Sequence, residues 1–527
     1  MSAAFVKPSA ASIIGTLLAF AVIYFLTFRK QLLETIFINI NYWYIGIAVV
    51  LAPIAVGYCV PKFLDKFPNV FYRLQTYIGI PEILQTAGTY MAVYLLYFTL
   101  APALFVFFYA FLDRFVPFVK DVFKESDRIE RGYLTTVAVI AFIAVAVIYN
   151  QTNAFYAPHN ADRKIINYDV VYTADSGDYY KTNVFGHFGA PENDLRQPLF
   201  AVFAVPFAVS ADILSRLCFF LPNGYSIFIQ VFQITLLAFA SILMSRMMCL
   251  NGTNKAVFLI SFTLSYPVLL FALMVEQYIF ALFWLTVFMY TMQHNKQHQN
   301  YAVIAAVGSL ITTAALGVLF FNRHALNATV KRIVKIAFIF LVFVLVSGQF
   351  NKFTLSQVWR YRNFTGLTLS FTDKLYQQCN FIVSCFIKPD TIIDKPFLPN
   401  VGDWMCYQLA PVTSLNYFGV VLFVFCILGF VLNYRNHFTQ VCLYWITFSF
   451  LILCLFGWGT AENGLILYSL YFGWAYFCLV FLAIEKLFAQ LPLVKYSIYT
   501  AAILTLAIIN IPGIDDLIQF GIKYYPT

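Results

Sequence analysis

The chain has 527 residues, of which 61% are hydrophobic and 11% are charged, and its formal net charge is +9. Soluble globular domains carry about 25% charged residues, so this composition excludes an ordinary soluble protein and indicates a polytopic membrane protein. The Lys and Arg residues lie in short clusters between apolar runs. That arrangement is typical of cytoplasmic loops and argues against a nucleic-acid-binding surface.

Apolar runs long enough to cross a bilayer, which takes about 20 helical residues, recur along the whole chain. Twelve are predicted as membrane spans: 12–28, 41–60, 87–112, 133–149, 226–244, 256–275, 276–293, 333–348, 413–432, 440–457, 464–485 and 495–512. Two further runs are interrupted, 198–221 by Pro206, Asp212 and Arg216, and 301–320 by Gly308 and Thr312-Thr313. The prediction is an all-α integral membrane protein, a polytopic bundle of roughly 12–14 membrane segments whose extracytoplasmic loops carry short helices.

The distribution of basic residues sets the predicted topology, because cytoplasmic loops are enriched in Lys and Arg. Segment 114–131 is therefore predicted to be cytoplasmic, and the helix at 133–149 carries the chain outward. The other predicted cytoplasmic clusters are Arg246/Lys255, Lys296, Arg323/Lys331/Arg332, Arg435 and Lys486/Lys495. These assignments agree only if 198–221 and 301–320 enter the membrane without crossing it, as broken or re-entrant helices do. Loop 61–86 becomes external although it is basic, which leaves the orientation of the first three helices open.

This topology divides the chain into four parts. They are N-terminal transmembrane helices with a cytoplasmic linker (1–132), a core (133–348) with a first large extracytoplasmic loop (150–197), an extracytoplasmic flap loop (349–412), and C-terminal transmembrane helices (413–527). Cys379, Cys385 and Cys406 share the flap loop. One disulfide and three free thiols are both compatible with that spacing.

The polar stretch 172–200, YTADSGDYYKTNVFGHFGAPENDLRQPLF, is the most informative part of the first large loop. Asp175 and Asp178 lie three residues apart, and Asp194 and Arg196 follow before the chain becomes apolar again. Carboxylates at a bilayer surface are well placed to act on a lipid-linked substrate. The alternative is a solvated turn, because Asp, Ser and Gly favour tight turns.

Two further acids are predicted at the same outer face. Glu276 lies in an apolar run that reads as two helices joined by a very tight turn, and Glu462 lies in the Gly-bounded turn GWGTAENG. An acid in an apolar run is costly unless it has a role or a partner, although the apex of an interfacial hairpin would also accommodate it. Arg360 and Arg362 in the flap loop suit either phosphate or lipid headgroups, or an ordinary solvated loop.

These residue types suit the transfer of a sugar from a phosphate to a hydroxyl. A carboxylate can remove the hydroxyl proton, and the leaving phosphate needs a cation. Asp178 suits the base, with Asp175 orienting it or sharing a divalent cation such as Mg²⁺ or Mn²⁺, and with Glu276 as a further catalytic acid. The predicted substrate-binding residues are Arg196, Tyr179, Tyr180, His187, Arg360, Arg362 and Glu462. The chain has no GxxxxGK[ST], GxGxxG, HExxH or GxSxG motif, which argues against nucleotide-binding domains and common hydrolases.

The order of these motifs resembles the GT-C glycosyltransferases, polytopic enzymes that use polyprenyl-phosphate-linked sugars and include protein O-mannosyltransferases and the aminoarabinose transferase of lipid A. ADSGDYY would be the acidic motif of the first external loop, and RQPLF would correspond to the His-Pro-Pro-Leu-like start of the following helix. The resemblance covers roughly 133–300, and more loosely the chain to 485. It implies a base or metal role for Asp175 and Asp178 and an acid role for Glu276.

The chain departs from the family pattern in three ways. Its acids are spaced D-x-x-D, Gln197 stands where many members have His, and three predicted helices precede the loop where the family usually has one. Metal dependence is therefore left open by the resemblance.

The sequence thus predicts a glycosyltransferase in a bacterial plasma (inner) membrane. Its partners would be a polyprenyl-phosphate sugar donor, membrane lipid and a cell-envelope glycan, lipid or protein acceptor, and no nucleic acid. The main alternative is a flippase or transporter for a lipid-linked or small solute, with charged residues in mid-membrane and an internal repeat. A structural membrane subunit is a third interpretation, under which both Asp residues would be dispensable.

Overall fold

The structure, a computed structural model, describes residues 42–49, 52, 105, 109, 112–113, 115–156, 170–172, 196–294, 299–320, 326–346, 365, 369–395, 405–458 and 464–527. The chain divides into two compact units. Unit 1 comprises Met1–Ser126, Phe188–Pro191 and Ala337–Asn351, and unit 2 comprises Asp127–His187, Glu192–Ile336 and Lys352–Thr527. The helical residues 42–49 and 115–124 belong to unit 1.

The described chain is mostly helical. The α-helices are α1 (Arg128–Tyr149), α2 (Phe200–Leu217), α3 (Gly224–Met247), α4 (Gly252–Thr263), α5 (Tyr266–Leu273), α6 (Tyr278–Gln293), α7 (Gln299–Ser309), α8 (Leu326–Val346), α9 (Phe371–Ser384), α10 (Tyr417–Leu432), α11 (His437–Ser449), α12 (Ser469–Leu487) and α13 (Pro492–Tyr524). Two 3₁₀ helices span Ile311–Phe320 and Gly464–Tyr468, and α11 continues as a π-helix over Phe450–Leu455. The two strands β1 (Thr391–Asp394) and β2 (Cys406–Leu409) form an antiparallel pair with Thr391 opposite Leu409. The prediction of an all-α fold therefore missed one small hairpin.

Five helices in the described residues are long and apolar enough to cross a membrane. They are Arg128–Tyr149, Gly224–Met247, His437–Leu455, Leu465–Leu487 and Pro492–Tyr524. The helices α4 and α5 together form a sixth candidate that is bent by 58°. The predicted single span 256–275 is therefore broken. The break has a local cause, because Ser265 is extended and Pro267 lies in the first turn of α5, where its missing N–H costs nothing.

The helices of unit 2 have two common ends. One, called the Tyr149 end, is defined by hydrogen bonds from the Tyr149 hydroxyl to Leu273 O (2.6 Å) and from Asn223 Nδ2 to Tyr149 O (3.0 Å). The C-terminus of α13 also lies there, since Asn153 N donates to Tyr525 O. The opposite end, called the Glu130 end, holds the last turns of α3 and α12.

A buried ionic cluster defines the Glu130 end. Glu130, only 1% exposed, accepts Arg246 Nε at 3.0 Å and Nη2 at 2.5 Å, and Lys255 Nζ at 2.7 Å. Lys255 also contacts Asp127, which caps the first turn of α1. Each buried charge in the cluster thus has an opposite charge, as burial in a low-dielectric interior requires. The cluster joins α1, α3 and α4.

Four of the predicted cytoplasmic basic residues of unit 2, Arg246, Lys255, Arg332 and Lys495, lie at this end. Lys495 lies near Glu485 and Asn254, one residue before Lys255. Arg332 donates to Asn300 Oδ1 and to Gln299 Oε1, and Gln299 in turn donates to Thr291 O in the last turn of α6. The starts of α7 and α8 therefore lie at the same end, and α7 breaks before the 3₁₀ helix that begins at Ile311. The break falls within the run 301–320, which the sequence shows to be interrupted at Gly308.

The other interrupted run behaves differently. Helix α2 is continuous from Phe200 to Leu217, so the predicted interruption at Pro206 is wrong. A proline removes one backbone hydrogen bond, which a membrane helix covered by its neighbours tolerates. The start of α2 is tied to the break after α7, since Leu199 N donates to Gly308 O, and its last turn faces Gly224 through Ser215. The helix therefore runs between this break and the Tyr149 end.

The predicted flap loop contains packed structure where it is described. Helix α9 packs against α10, and a Cβ on Gly419 would lie 2.2 Å from the carbonyl oxygen of Cys379. Cys379, Cys385 and Cys406 are all buried free thiols, so the disulfide alternative is wrong. In an apolar interior each thiol packs as a small hydrophobic group.

Candidate functional site

Glu276 lies in the four-residue link between α5 and α6, at the Tyr149 end of unit 2. The helix pair was predicted with this acid at its turn, and the structure confirms the turn. The carboxylate is not at an exposed apex, however, because Glu276 is 1% exposed. A carboxylate inside an apolar membrane protein is costly and marks a functional site by default.

The backbone of this link is held by the end of α1 and the residues after it. Val275 N donates to Phe155 O at 3.2 Å, and the Tyr149 hydroxyl donates to Leu273 O. Tyr149, Phe155 and Val275 are fully buried. The link is therefore a rigid element, because its polar backbone groups have fixed partners in a dry environment.

Two glutamines on one face of α3 complete the support of the link. Gln230 Nε2 donates to Phe271 O and to Ala272 O, both at 2.8 Å, and so satisfies carbonyls in the last turn of α5. Gln233 Oε1 accepts the backbone N–H of Glu276 at 3.4 Å. Both glutamines are fully buried, and Gln233 Nε2 has no hydrogen-bond acceptor among the described residues. The surroundings of Glu276 are thus polar within an apolar bundle.

The aromatic residue after the link connects it to the C-terminal helices. The Tyr278 ring lies 5.6 Å from the Tyr468 ring and 6.5 Å from the Tyr471 ring. Tyr468 accepts Trp458 Nε1 at 2.7 Å, and Trp458 forms a β-bridge with Thr365. Trp458 and Tyr468, which lie on either side of segment 459–463, are therefore close to Tyr278. Thr365 of the predicted flap loop lies beside Trp458.

The end of the first large loop is fixed at the break after α7. Arg196 O accepts Ile311 N at 2.7 Å, and a Cβ on Gly308 would lie only 2.8 Å from Leu199 Cβ, so this approach depends on glycine. Gln197 is 7% exposed, and its Nε2 has no acceptor among the described residues. Phe200 contacts Phe280 in the first turn of α6 with ring centroids 5.4 Å apart.

The start of the acidic stretch is fixed at the β-hairpin. Tyr172 N donates to Tyr407 O at 2.8 Å, and the hydroxyls of Tyr172 and Tyr266 lie 2.7 Å apart. Burial raises the pKa of the Tyr172 hydroxyl well above its usual value, and the neighbouring Tyr266 adds to the effect. Tyr172 therefore stays a neutral hydrogen-bonding anchor three residues before Asp175.

The predicted site residues divide into two groups. Glu276 and Arg196 are described, and each is anchored as above. Asp175, Asp178, Tyr179, Tyr180, His187, Arg360, Arg362 and Glu462 lie outside the described residues. Within the described ranges, no cluster of three or more His, Cys, Asp or Glu residues could hold a metal ion.

Sequence reasoning missed the polar residues that support Glu276 from α3. Gln230 and Gln233 lie three residues apart in the predicted span 226–244, so they share a helix face, and polar side chains in a membrane span signal helix contacts or function. It also missed the helix over Phe371–Ser384 in the predicted flap loop, in which Lys374 is 8% exposed.

Comparisons of this chain with protein-family models, with curated proteins and with solved structures find no match. The arrangement offers a buried carboxylate on a link whose backbone is fixed, glutamine side chains that hold that backbone, and aromatic contacts that connect the link to Tyr468 and Trp458.

Proposed function

We propose that this chain is an integral membrane glycosyltransferase of the GT-C type. It would move a sugar from a polyprenyl-phosphate-linked donor to a cell-envelope glycan, lipid or protein on the extracytoplasmic face of a bacterial plasma membrane. The observation that carries the proposal is the buried Glu276 carboxylate, held at the same end of unit 2 as Tyr172 and Trp458. These two residues immediately precede the acidic stretch and the Glu462 turn in the sequence.

The reaction needs a base, a counter-charge and a place without bulk water. The acceptor hydroxyl oxygen would bond to C1 of the sugar while the bond from C1 to the phosphate oxygen breaks. The hydroxyl proton passes to a carboxylate, for which we propose Asp178 oriented by Asp175, and the bonding electron pair leaves with the phosphate. Arg196 would balance the phosphate charge, and Glu276 would supply a second carboxylate from a rigid link. A divalent cation held by Asp175 and Asp178 would serve the leaving phosphate in the same way.

The test is transfer of a radiolabelled hexose from a polyprenyl phosphate to an envelope fraction by the purified full-length protein. We expect label transfer by the unmodified chain and a loss of about 10²-fold or more in Asp178→Asn, because general bases contribute that much. Glu276→Gln should lower the rate at least about tenfold.

The control is Asp212→Asn, which removes a half-exposed carboxylate paired with Arg216 on the surface of α2. It should transfer label at the unmodified rate. If Asp178→Asn and Glu276→Gln both keep full activity, the assignment of these carboxylates to catalysis is wrong.

A transporter for a lipid-linked solute is the second candidate, and broken helices favour it. Helices α4 and α5 are bent by 58°, and α7 breaks before the 3₁₀ helix, as transporter substrate sites require. Proteoliposomes distinguish the two functions. A transporter would move the labelled donor across the bilayer with its sugar–phosphate bond intact, whereas a transferase would release polyprenyl phosphate and a labelled acceptor.

A further inference from the structure

Two buried side chains at the start of α2 carry polar atoms that have no hydrogen-bond partner in the described chain. Gln197 lies two residues before the N-cap residue Leu199 and is 7% exposed, and its Nε2 atom has no acceptor among the described residues. Ser309 is the last residue of α7 and is 1% exposed, and its Oγ atom also has no described partner. Buried polar atoms are nearly always hydrogen-bonded, so both atoms indicate that something further binds here.

The backbone places these two residues next to each other. Two backbone hydrogen bonds hold the segments 196–199 and 308–311 alongside each other in opposite directions. They are Leu199 N to Gly308 O at 2.8 Å and Ile311 N to Arg196 O at 2.7 Å. Gln197 belongs to the first segment and Ser309 to the second, so the two residues are neighbours across this contact.

The Ser309 hydroxyl does not follow the usual pattern of a buried helical serine. A serine or threonine inside a helix commonly donates its hydroxyl to the carbonyl four residues earlier. Ser241, Thr286 and Ser384 do so, at 2.9, 2.7 and 2.9 Å. Ser309 makes no such bond within the described chain, so its hydroxyl proton is available to a ligand.

The N-terminus of α2 adds further donors at the same place. The first N–H groups of a helix have no partner within the helix, and the helix dipole makes this end partly positive. Leu199 provides no side-chain cap, and the first turn of α2 contains no acidic residue. A helix that begins at a break inside a membrane protein is a favourable site for an anion. Arg196, directly before Gln197, adds a full positive charge.

These donors lie inside the bundle. Helix α7 starts at the Glu130 end and has 11 residues, so it ends about 16 Å from there, well within a hydrocarbon core of about 30 Å. Bulk water does not reach unpaired donors at this depth. The charge that balances them therefore has to be carried in by the ligand itself.

The surroundings of the donors are apolar and aromatic. The Phe200 ring lies 5.4 Å from the Phe280 ring, and the Phe203 ring lies 5.6 Å from Trp284. Towards its other end α2 exposes apolar side chains such as Leu217. An anion attached to an apolar chain fits this setting, because the chain would follow the apolar face of α2 and bring the charge to the donors.

We infer that the start of α2 binds the phosphate of a polyprenyl phosphate, with the Gln197 amide, the Ser309 hydroxyl and the first N–H groups of α2 as donors. A set of donors matches phosphate oxygens, which accept, and hydrogen bonds to a charged oxygen are the strong ones. The choice of a polyprenyl phosphate over another lipid phosphate rests on the proposed function, in which Arg196 balances the charge of the same phosphate.

The test is calorimetric titration of the full-length protein, in nanodiscs of phosphatidylcholine, with geranyl phosphate. Gln197→Met and Ser309→Ala each remove a donor with little change in side-chain volume. Each variant should weaken binding about tenfold, because a hydrogen bond to a charged group contributes that much. Unweakened binding in either variant overturns the site.

The chain offers a matched control for each variant. Gln519→Met changes an exposed glutamine of α13, and Ser241→Ala changes a buried serine whose hydroxyl donates to Leu237 O. Both controls should bind geranyl phosphate as the unmodified chain does. Weakening in the controls equal to that in Gln197→Met and Ser309→Ala would overturn the assignment of the donors.

Geraniol separates loss of the phosphate contact from misfolding. It keeps the apolar chain without the charge, so Gln197→Met and Ser309→Ala should bind it as tightly as the unmodified chain does. If both variants lose geraniol and geranyl phosphate to the same degree, the phosphate contacts are refuted.

The thermal midpoint without ligand gives an independent measurement. Removing a buried polar group that has no partner removes an unfavourable desolvation, so both variants should unfold at or above the midpoint of the unmodified chain. Lower midpoints, together with unchanged binding of geranyl phosphate, would show that the two atoms hold a structural water and would overturn the inference.

Further titrations define the source of the phosphate. Inorganic phosphate should bind at least about tenfold more weakly than geranyl phosphate, because it lacks the apolar chain. Equal binding would assign the donors to free phosphate and overturn the prenyl ligand. Nanodiscs that contain phosphatidylglycerol should compete weakly. Competition as strong as that of geranyl phosphate itself would assign the site to ordinary lipid headgroups and overturn it as well.

This inference and the proposed function fail in different ways. Binding of geranyl phosphate that depends on Gln197 and Ser309, without any label transfer, would support the inference and refute the transferase. Label transfer by the unmodified chain, with unweakened binding in both variants, would refute the inference alone.

Discussion

The side-chain oxygen of Gln233 accepts the backbone N–H of Glu276 at 3.4 Å, across 43 positions of sequence. A polar residue in an apolar helix thereby fixes the backbone of a buried acid in a link between two other helices. The hydrogen bond is stronger in this apolar surrounding than in water, and it limits where the carboxylate can lie.

Gln233→Met is expected to misplace Glu276 without unfolding the protein. It removes one neutral hydrogen bond, a loss of about 0.5–1.5 kcal/mol, while the volume of the side chain is nearly kept. We expect kcat for sugar transfer to fall about tenfold with KM for the donor unchanged. A structural role alone would instead lower the thermal midpoint and leave kcat per folded molecule unaltered. Gln519→Met, at an exposed position of α13, is the matched control.

Gly429→Ala tests the contact between α10 and α12. A Cβ at Gly429 would lie 2.0 Å from the carbonyl oxygen of Leu479, so the two helices would have to separate. We expect a loss of stability of several kcal/mol, about the cost of overpacking a core or more. Gly132→Ala in α1 is the control, because a Cβ there meets nothing within 4 Å. It should be neutral or stabilise α1 by up to about 1 kcal/mol. Equal thermal midpoints for the two variants would contradict this packing.

Glu130→Gln tests the buried cluster at the Glu130 end. The change leaves Arg246 and Lys255 without their shared carboxylate, and breaking a buried ion pair costs about 3–5 kcal/mol. We expect a loss of that size in denaturant titrations of the detergent-solubilised protein. Glu130→Gln combined with Lys255→Met should be less destabilised than the sum of the two single variants. Strict additivity would show that the pair does not interact.

Low pH should destabilise the Glu130 end through protonation of Asp127. Burial alone would raise the pKa of this carboxyl, but hydrogen bonds from Lys255 and from the Glu130 N–H, together with the Lys255 charge, hold it below the ordinary 3.8. The folded state therefore binds fewer protons than the unfolded state, and the stabilisation is complete above the unfolded pKa and lost as pH falls through the folded one. The thermal midpoint of the unmodified chain should exceed that of Asp127→Asn at pH 7, and the two should converge in acid below pH 3.8. A constant difference down to pH 2 would refute the assignment.

Two native cysteines report the predicted orientation. Cys218 is part-exposed near the Tyr149 end, and Cys249 is exposed two residues after α3 at the Glu130 end. A membrane-impermeant maleimide should label Cys218 in intact cells and Cys249 only after permeabilisation, in a chain with Cys59 replaced by Ala. The reverse pattern would invert the topology and place Glu276 on the cytoplasmic side.

Most of the correct predictions from the sequence came from the pattern of hydrophobic residues. The apolar runs at 133–149, 226–244, 440–457 and 464–485 correspond to helices long enough to cross a membrane, because backbone groups in lipid must pair within their own helix. The common position of Arg246, Lys255, Arg332 and Lys495 at one end was predicted from the distribution of basic residues along the sequence alone. The turn at Glu276 was also predicted, from the length of the apolar run around it.

Contacts between distant segments decided the rest. The burial of Lys374, the continuity of α2 through Pro206 and the free state of Cys379 depend on which helices lie against each position. Local sequence does not specify those neighbours, because the hydrophobic pattern of an amphipathic segment is the same whether its polar face meets water or a partner helix. The sequence by itself therefore determined that this is a mostly helical membrane protein with one acid, Glu276, in a turn between two apolar helices. Tertiary packing alone decided that Glu276 is buried on Gln233 and that Gln197 Nε2 lacks an acceptor in the described chain, because burial and pairing are properties of neighbours far apart in the sequence.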